Sequence, residues 1–568
     1  MLTDYYQEEL SHLRELAAEF SKKYPALAPM LSATGDDPDV ERLLEGVAFL
    51  AGLNRQLLEE RMPNLVQALL RLLFPQALRP APSRTMMQFQ PVEGFLETIL
   101  LPKGAELDSQ PVEGAQARFT TLENLVIVPA KVASVNVTES GVGWTKINIL
   151  INSQAPTSKW LPDTLSLYFG GDYPEASLRR EIILRHLKEV AVGVKGQEKP
   201  LQRPFKPGGL PEPSELLDEV SLRRSLSIIE DYFVMPQRFL FLEISGLKDF
   251  RGPESVFSIV LTLTNLKKTL PIFRPEHFLL NVCPAVNIFS YPAIPIILDH
   301  HRVEYLLRPQ DYEEKKLSIY EVATVKSLGR DGRIRNFIPF ERLSEMSPGD
   351  GSYMLTQKSS PIKGLPEYWI SINYGVSETL ERETLSVNLQ CHNHGITDFI
   401  HSGEINRPTD SSPAMATFTN IIPPTRLSPP VDDTLQLWKF ISNLHITLAR
   451  ILDVKVFREF LDLYAISWDI DTGRRLVNLK RIESVVDFKL TEEDFLVRGQ
   501  PIRGYSVTLT VDQGGFASPG DLRLFGDVLD CFLGLFHQIN TFSRLRIVEL
   551  NSKEVREWAP RLGTRRLI

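Results

Sequence analysis

The sequence predicts an α+β multidomain protein: an N-terminal α-helical bundle arm, β-rich middle modules of sandwich or barrel-like type, and an α+β C-terminal domain. Three observations carry this. Residues 4 to 75 repeat apolar side chains at helical spacing almost without interruption. From Pro80 onward the chain turns to short runs rich in β-branched and aromatic residues, broken by Gly and Pro. Strongly apolar helical segments return after residue 433. At 568 residues the chain exceeds one core, so several domains are expected.

The first helix starts near Thr3 or Asp4, both good caps, and Asp4 suits the positive helix end. Leu10, Leu13, Ala17, Phe20 and Tyr24 share one face, and Pro25 ends the helix. Asp37 and Pro38 open a second helix, with proline at the position where its missing N–H matters least. Its stripe is Val40, Leu43, Leu44, Val47, Leu50 and Leu57. Pro63 opens a third helix, apolar nearly all round from Leu65 to Phe74 and therefore buried. These helices form either an ordinary three-helix bundle or one completed by another chain.

Pro75, Pro80 and Pro82 mark the first boundary. The expected domains are 1–80 (helical arm), 83–200 (β-rich, with a helix inserted near 174–190), 216–430 (a second β-rich module) and 433–568 (α+β). The Pro/Gly-rich segment 197–215 is a linker or exposed loop, and 402–432 is again loop-like.

A net charge of -8 and a pI near 5.8 give no reason to expect nucleic acid. Three scattered cysteines, Cys283, Cys391 and Cys531, suit a reducing compartment. The opening MLTDYYQEEL has no signal-peptide pattern, and no apolar run is long enough to span a membrane, so a cytoplasmic protein without membrane insertion is expected.

No catalytic or cofactor pattern in the sequence carries through. Cys391, His392, His394 and His401 are metal-ligand types, but adjacent strand residues point to opposite faces and no second ligand pair stands at finger spacing. His300 and His301 fail the same test. The glycines of QGGFASPGD precede a helix without the Lys-Ser/Thr of a phosphate loop, which leaves a turn with Asp521 as N-cap. Glu492, Glu493 and Asp494 read as solvated surface, and RLGTRR as a solvated basic end. Catalytic, cofactor and metal sites are all expected to be absent.

The residues also resemble a known family. MLTDYYQEELSHLRELAAEFSKKYP and DPDVERLLEGVAFLAGLNRQLLEERMPNLVQALLRLLFPQALRPAPS are similar to the opening of TssF proteins (ImpG or VasA), baseplate subunits of bacterial type VI secretion systems. IEDYFVMPQRFLFLEISGL, LNVCPAVNIFSYPAIPIILDHHRVEYLLRP, LQCHNHG, FGDVLDCFLGLFHQINTFSRLRI and EWAPRLGTRRLI continue the resemblance in order. It implies a structural wedge subunit, similar to phage baseplate wedge proteins. The implied partners are TssG, a second TssF copy, TssK and TssE, with the spike hub (VgrG) adjacent, at a machine recruited to the inner membrane. A wedge protein of a contractile phage tail or related injection particle is the alternative.

Under this resemblance Leu10, Leu13, Phe20, Leu43, Leu44, Val47, Leu50 and Leu57 are expected to enter a core shared with partners. Phe525, Phe532, Phe542 and Trp558 are expected either to form a second assembly surface or to be plain domain core.

Overall fold

The computed structural model describes residues 2–563 apart from 25–37, 74, 141–142, 195, 202–204, 211–227, 265–269, 330–331, 348, 360–365, 375–381, 431–433, 444–452, 466–471, 498–499 and 535–540. Its principal helices are α1 (Leu2–Lys23), α2 (Pro38–Leu73), α3 (Tyr173–His186), α4 (Thr434–Asn443), α5 (Val454–Ala465), α6 (Thr472–Glu483) and α7 (Pro519–Gly534). The chain separates into two compact units: residues 1–78 with 432–444, and residues 79–431 with 445–568.

The smaller unit is helical. Asp4 sits in the first turn of α1 and Lys22 and Lys23 in its last, each at the favourable end of the helix dipole. Helices α1 and α2 run antiparallel: Arg14 pairs with Glu41, while Arg55 reaches Glu9 at 3.1 Å and Glu8 at 3.2 Å. Gly52 permits their close approach, since a Cβ there would lie 3.0 Å from the Tyr6 nitrogen. The interior holds Leu10, Ala48, Val66, Leu70 and, from α4, Leu437.

The helical unit departs from the sequence expectation at two places. Pro63 starts no third helix; α2 runs through it for 36 residues. Proline removes one N–H from a ladder, and a helix of this length continues past the gap. Residues 434–443 also pack with this unit rather than with the C-terminal domain.

The larger unit is built from sheets, and pairing ignores the boundary expected between residues 200 and 216. Among the described residues, one six-stranded sheet runs Ile405–Pro408, Glu106–Ser109, Arg118–Thr121, Val282–Val286, Arg84–Pro91, Ala416–Asn420. It thereby joins both expected β-rich modules. The loop-like 402–432 stretch supplies two of its strands, and Met87, Phe89, Cys283, Ala285 and Phe418 meet in its core. A five-stranded sheet runs Lys199–Pro200, Leu187–Gly193, Val256–Thr264, Trp144–Ser153, Ala130–Ser140 and crosses the same boundary. The expected helix near 174–190 ends at His186, where the chain turns directly into Leu187–Gly193.

An eight-stranded sheet between Phe289 and Asn393 has its own core around Phe289, Val325, Phe337, Ile370 and Leu389. At the C-terminus, the hairpin Val485–Val497 and Gln500–Val511 lies beside Phe542–Glu549, with α7 packed on that strand and on α3.

Side-chain amides bind backbone where sheets meet. Asn281 takes a left-handed φ of 58° and pairs twice with Val128, donating to its carbonyl and accepting from its N–H, both at 2.9 Å. Asn287 donates to the Asn393 Oδ1 at 2.8 Å and accepts the Asn393 N–H at 2.8 Å. Each buried amide would be expensive to leave unpaired, so Asn287 and Asn393 tie the six-stranded sheet to the eight-stranded one, while Asn281 ties the six-stranded sheet to the segment that enters the five-stranded one.

Candidate interaction surfaces

In the helical unit, the helix–helix contact consumes only part of the apolar surface. Leu43, Val47 and Leu50 follow one another at helical spacing along α2 and are 69%, 50% and 59% exposed. Phe49, Leu65 and Leu72 are exposed on the same helix, Leu16 and Phe20 on α1, and Tyr24 just after it. Of the other residues expected to meet partners, Leu10 is buried between the helices, Leu13 and Leu44 are half-buried, and the Leu57 side chain lies outside the described set.

The C-terminal aromatics are placed differently. Phe525, Phe532 and Phe542 have no exposure, and Trp558 has 7%. Phe532 packs its ring at a tilt against Phe460, Phe525 against Phe516 and Tyr232, and Phe542 against Phe495. Their apolar area is already used in the fold, so these four residues shape the module and do not form an assembly surface. Gly526 gives Trp558 its place: a Cβ there would overlap the indole ring.

Three aspartates of α7 organise this region. Asp521 has no exposure and accepts five hydrogen bonds: from Tyr173 Oη (2.5 Å), Tyr232 Oη (2.8 Å), Arg481 Nε (3.1 Å), Arg481 Nη2 (2.9 Å) and the Ala517 N–H (3.1 Å). Burial, together with this carboxylate, lifts both tyrosine hydroxyls well above their ordinary range. Asp527 accepts from Arg180 (2.9 Å), Arg523 (3.0 Å) and the Trp558 indole (2.8 Å). Burial works against its charged form, but Arg180, Arg523 and Trp558 outweigh that and hold it below the usual carboxylate range. Asp530 pairs with Arg561 at 2.9 Å.

Asp521 is therefore not the helix cap expected from sequence. Ser518 fills that role, its Oγ accepting from the Gly520 and Asp521 N–H groups at 3.1 Å. A Cβ on Gly520 would overlap the Ser177 backbone, so glycine lets α7 seat against α3.

Glu181 on α3 is the least well-paired member of this region. Its Oε1 lies 3.8 Å from Arg556 Nε, and its Oε2 has no hydrogen-bond partner. Burial pushes its pKa up to about 7, against the pull of Arg523, Arg556 and Arg185 and with the push of Asp527. The folded state therefore holds this proton more tightly than the unfolded chain, whose Glu titrates near ~4.3. Stability from this site is fully present below the unfolded value and is lost as pH rises towards 7. Glu181→Gln is expected to raise the melting temperature at pH 8 and to leave it unchanged or lower at pH 5. Equal shifts at both pH values, measured by calorimetry, would contradict this.

The remaining sequence candidates serve the fold. Cys391 and His392 are buried neighbours on one strand; burial pushes the thiol up to about 12 and the imidazole down to about 4. His394 bonds Ser318 at 3.0 Å, and His300 meets the Tyr374 ring edge-on at 5.5 Å. Among the described residues no three His, Cys, Asp or Glu converge as metal ligands. Glu493 pairs with Arg544 and Asp494 with Arg503. In the basic end, Arg561 is bound to Asp530, while 564–566 fall outside the described residues.

A helical unit with an exposed apolar stripe, and a large sheet-built unit whose charged clusters are spent on internal joints, define a class: a large α+β subunit of a protein assembly. Comparisons with known proteins give the family. The type VI secretion system TssF family matches residues 1–565. The chain is 25% identical to "Type VI secretion system component TssF1" of Pseudomonas aeruginosa, across 99% of each protein. It superposes on a chain of a cryo-electron-microscopy structure of the type VI secretion system TssK-TssF-TssG baseplate subcomplex with a TM-score of 0.78 and 25% identity, covering 92% of this chain and 98% of that one. A structure of the baseplate complex from the type VI secretion system shares the fold, with a TM-score of 0.64, 22% identity and full coverage of both chains. The chain belongs to the TssF family of type VI secretion system components.

Proposed function

We propose that this protein is a structural, non-catalytic subunit of a type VI secretion baseplate, assembling with TssG-like and TssK-like proteins and a second copy of itself. One observation carries the reading: its fold follows a chain of a TssK-TssF-TssG baseplate subcomplex over nearly its whole length. The exposed stripe of α2 supports it, because apolar side chains in a row on a helix gain most when another surface removes them from water. In this reading TssE and the spike hub lie beside the assembled wedge, and the wedge reaches the inner membrane through the secretion machine. Among the described residues no helix is long and apolar enough to cross a membrane.

The test is co-expression of the full chain with the TssG-like and TssK-like proteins of the same bacterium, followed by affinity purification and native mass measurement. A stoichiometric complex is expected. A chain that stays alone at micromolar concentration in the presence of both would overturn the proposal.

A further inference from the structure

The segment Glu554–Leu562 runs beside strand Phe542–Glu549, on the side opposite the long hairpin. Val555, Arg556 and Glu557 pair with Val548, Ile547 and Arg546, and Arg561 and Leu562 pair with Ser543 and Phe542. Between these two short ladders the Trp558 N–H bonds the Leu545 carbonyl at 3.0 Å. Within the segment only Arg556 and Trp558 are buried, while Val555 and Leu562 are exposed.

Helix α7 is notched to receive it. Gly526 makes room for the Trp558 indole, and a Cβ on Gly534 would lie 2.4 Å from the Arg561 Cδ. An aspartate accompanies each notch: Asp527 accepts the Trp558 indole N–H at 2.8 Å, and Asp530 accepts from Arg561 Nε at 2.9 Å. The Arg523 guanidinium lies over the Trp558 ring, 4.5 Å from its centre. An interior glycine such as Gly526 weakens a helix, a cost offset only while Trp558 is seated on it.

Other contacts of the segment pull the opposite way. Arg556 is buried although its Nε and Nη1 have no hydrogen-bond partner, and its ion-pair partner Glu181 stands 3.8 Å off. A guanidinium held so gains hydrogen bonds by returning to water. The pairs of Glu554 with Arg185 and of Glu557 with Arg546 are part-exposed, and such pairs hold little. Closure therefore rests on Trp558 and on Arg561 at Asp530, and a segment with one buried apolar anchor belongs to the low end of local stability. The helices beneath do not need it: Asp527 keeps Arg180 and Arg523, and Asp521 joins α3, α6 and α7 through Tyr173 and Arg481.

We propose that Glu554–Leu562 is a strap that opens and closes as one piece while α3, α6 and α7 stay folded. In the open state Arg556, Trp558 and Arg561 leave together, and Asp530 and the two glycine notches of α7 are uncovered. The inference is independent of the baseplate reading.

Amide hydrogen exchange of the full chain, followed in urea below its unfolding transition, is the test. After correction for intrinsic rates, the Trp558 amide is expected to exchange about tenfold or more faster than those of Leu522–Leu533, with a smaller dependence on urea. Equal rates with equal urea dependence would mean that the segment opens only with the whole unit, and would overturn the proposal. Gly526→Ala fills one notch while improving α7 as a helix. It is expected to speed Trp558 exchange by about a further tenfold and to leave α3 and α6 unchanged. The double variant Glu181→Leu/Arg556→Met removes the loose buried pair and is expected to slow Trp558 exchange. Trp558 exchange unchanged in both variants, or acceleration spread equally over α3, α6 and α7, overturns the proposal as well. Should Gly526→Ala fail to fold, the comparison within the wild-type chain still decides.

Discussion

Asp521→Ala is expected to be the most destabilising single substitution in the larger unit. Its carboxylate takes four side-chain hydrogen bonds and one from the backbone in a site without exposure. Removing it strands the Arg481 guanidinium, itself 4% exposed, and the hydroxyls of buried Tyr232 and half-buried Tyr173. Loss of one partner from a buried ion pair typically costs about 3–5 kcal/mol, because the other charge is left desolvated without compensation. The loss should be felt across α3, α6 and α7 together, since Tyr173, Arg481 and Asp521 each come from a different one of them. Urea unfolding should show an earlier transition, and hydrogen exchange should show faster opening of Leu522–Leu533. The double variant Asp521→Leu/Arg481→Met removes both charges and is expected to recover part of the loss, because the pair no longer leaves an orphan. An Asp521→Ala protein with unchanged unfolding and unchanged α7 exchange would refute the view that this carboxylate joins the three helices.

That hub also shows where sequence reading stopped. Asp521 stands after a glycine-rich turn and before an apolar run, which is the pattern of a helix cap, and nothing local distinguishes a capping aspartate from a buried one. The difference is made by Tyr173, Tyr232 and Arg481, which are remote in sequence. Strand pairing was hidden for the same reason: Arg84–Pro91 reads clearly as a strand, but its neighbours are Val282–Val286 and Ala416–Asn420. Local periodicity gave α1, the start of α2 at Pro38, and α7, because those depend on residues a few positions apart. It failed at Pro63, where the rule that proline breaks helices met a helix able to run on without one N–H. Hydrophobicity alone could not sort Phe525 from Phe20, either. Both are aromatic members of a helical stripe, yet one is packed under Tyr232 and the other is 43% exposed.

The triple substitution Leu43→Glu/Val47→Glu/Leu50→Glu is expected to separate assembly from folding. In the free chain these side chains are at least half exposed, so charge there removes little packing; surface changes of this kind usually stay within about 0.5 kcal/mol each. In a complex that covers the stripe, each apolar side chain would contribute roughly 1.5–3 kcal/mol by leaving water, and each glutamate would have to be desolvated instead. Even one such term weakens association more than tenfold, and three together should abolish capture of the TssG-like partner at micromolar concentration. The contrasting substitution is Leu70→Ala, at a position on the same helix with no exposure. It should cost the free chain about 2–5 kcal/mol and act on binding only through loss of the helical unit. Melting curves of the free protein and affinity purification of the co-expressed complex read the two effects separately. A triple variant that folds normally and still captures its partner as well as the wild type would show that the α2 stripe is ordinary exposed surface. One that folds normally and captures nothing would place an assembly contact on Leu43, Val47 and Leu50.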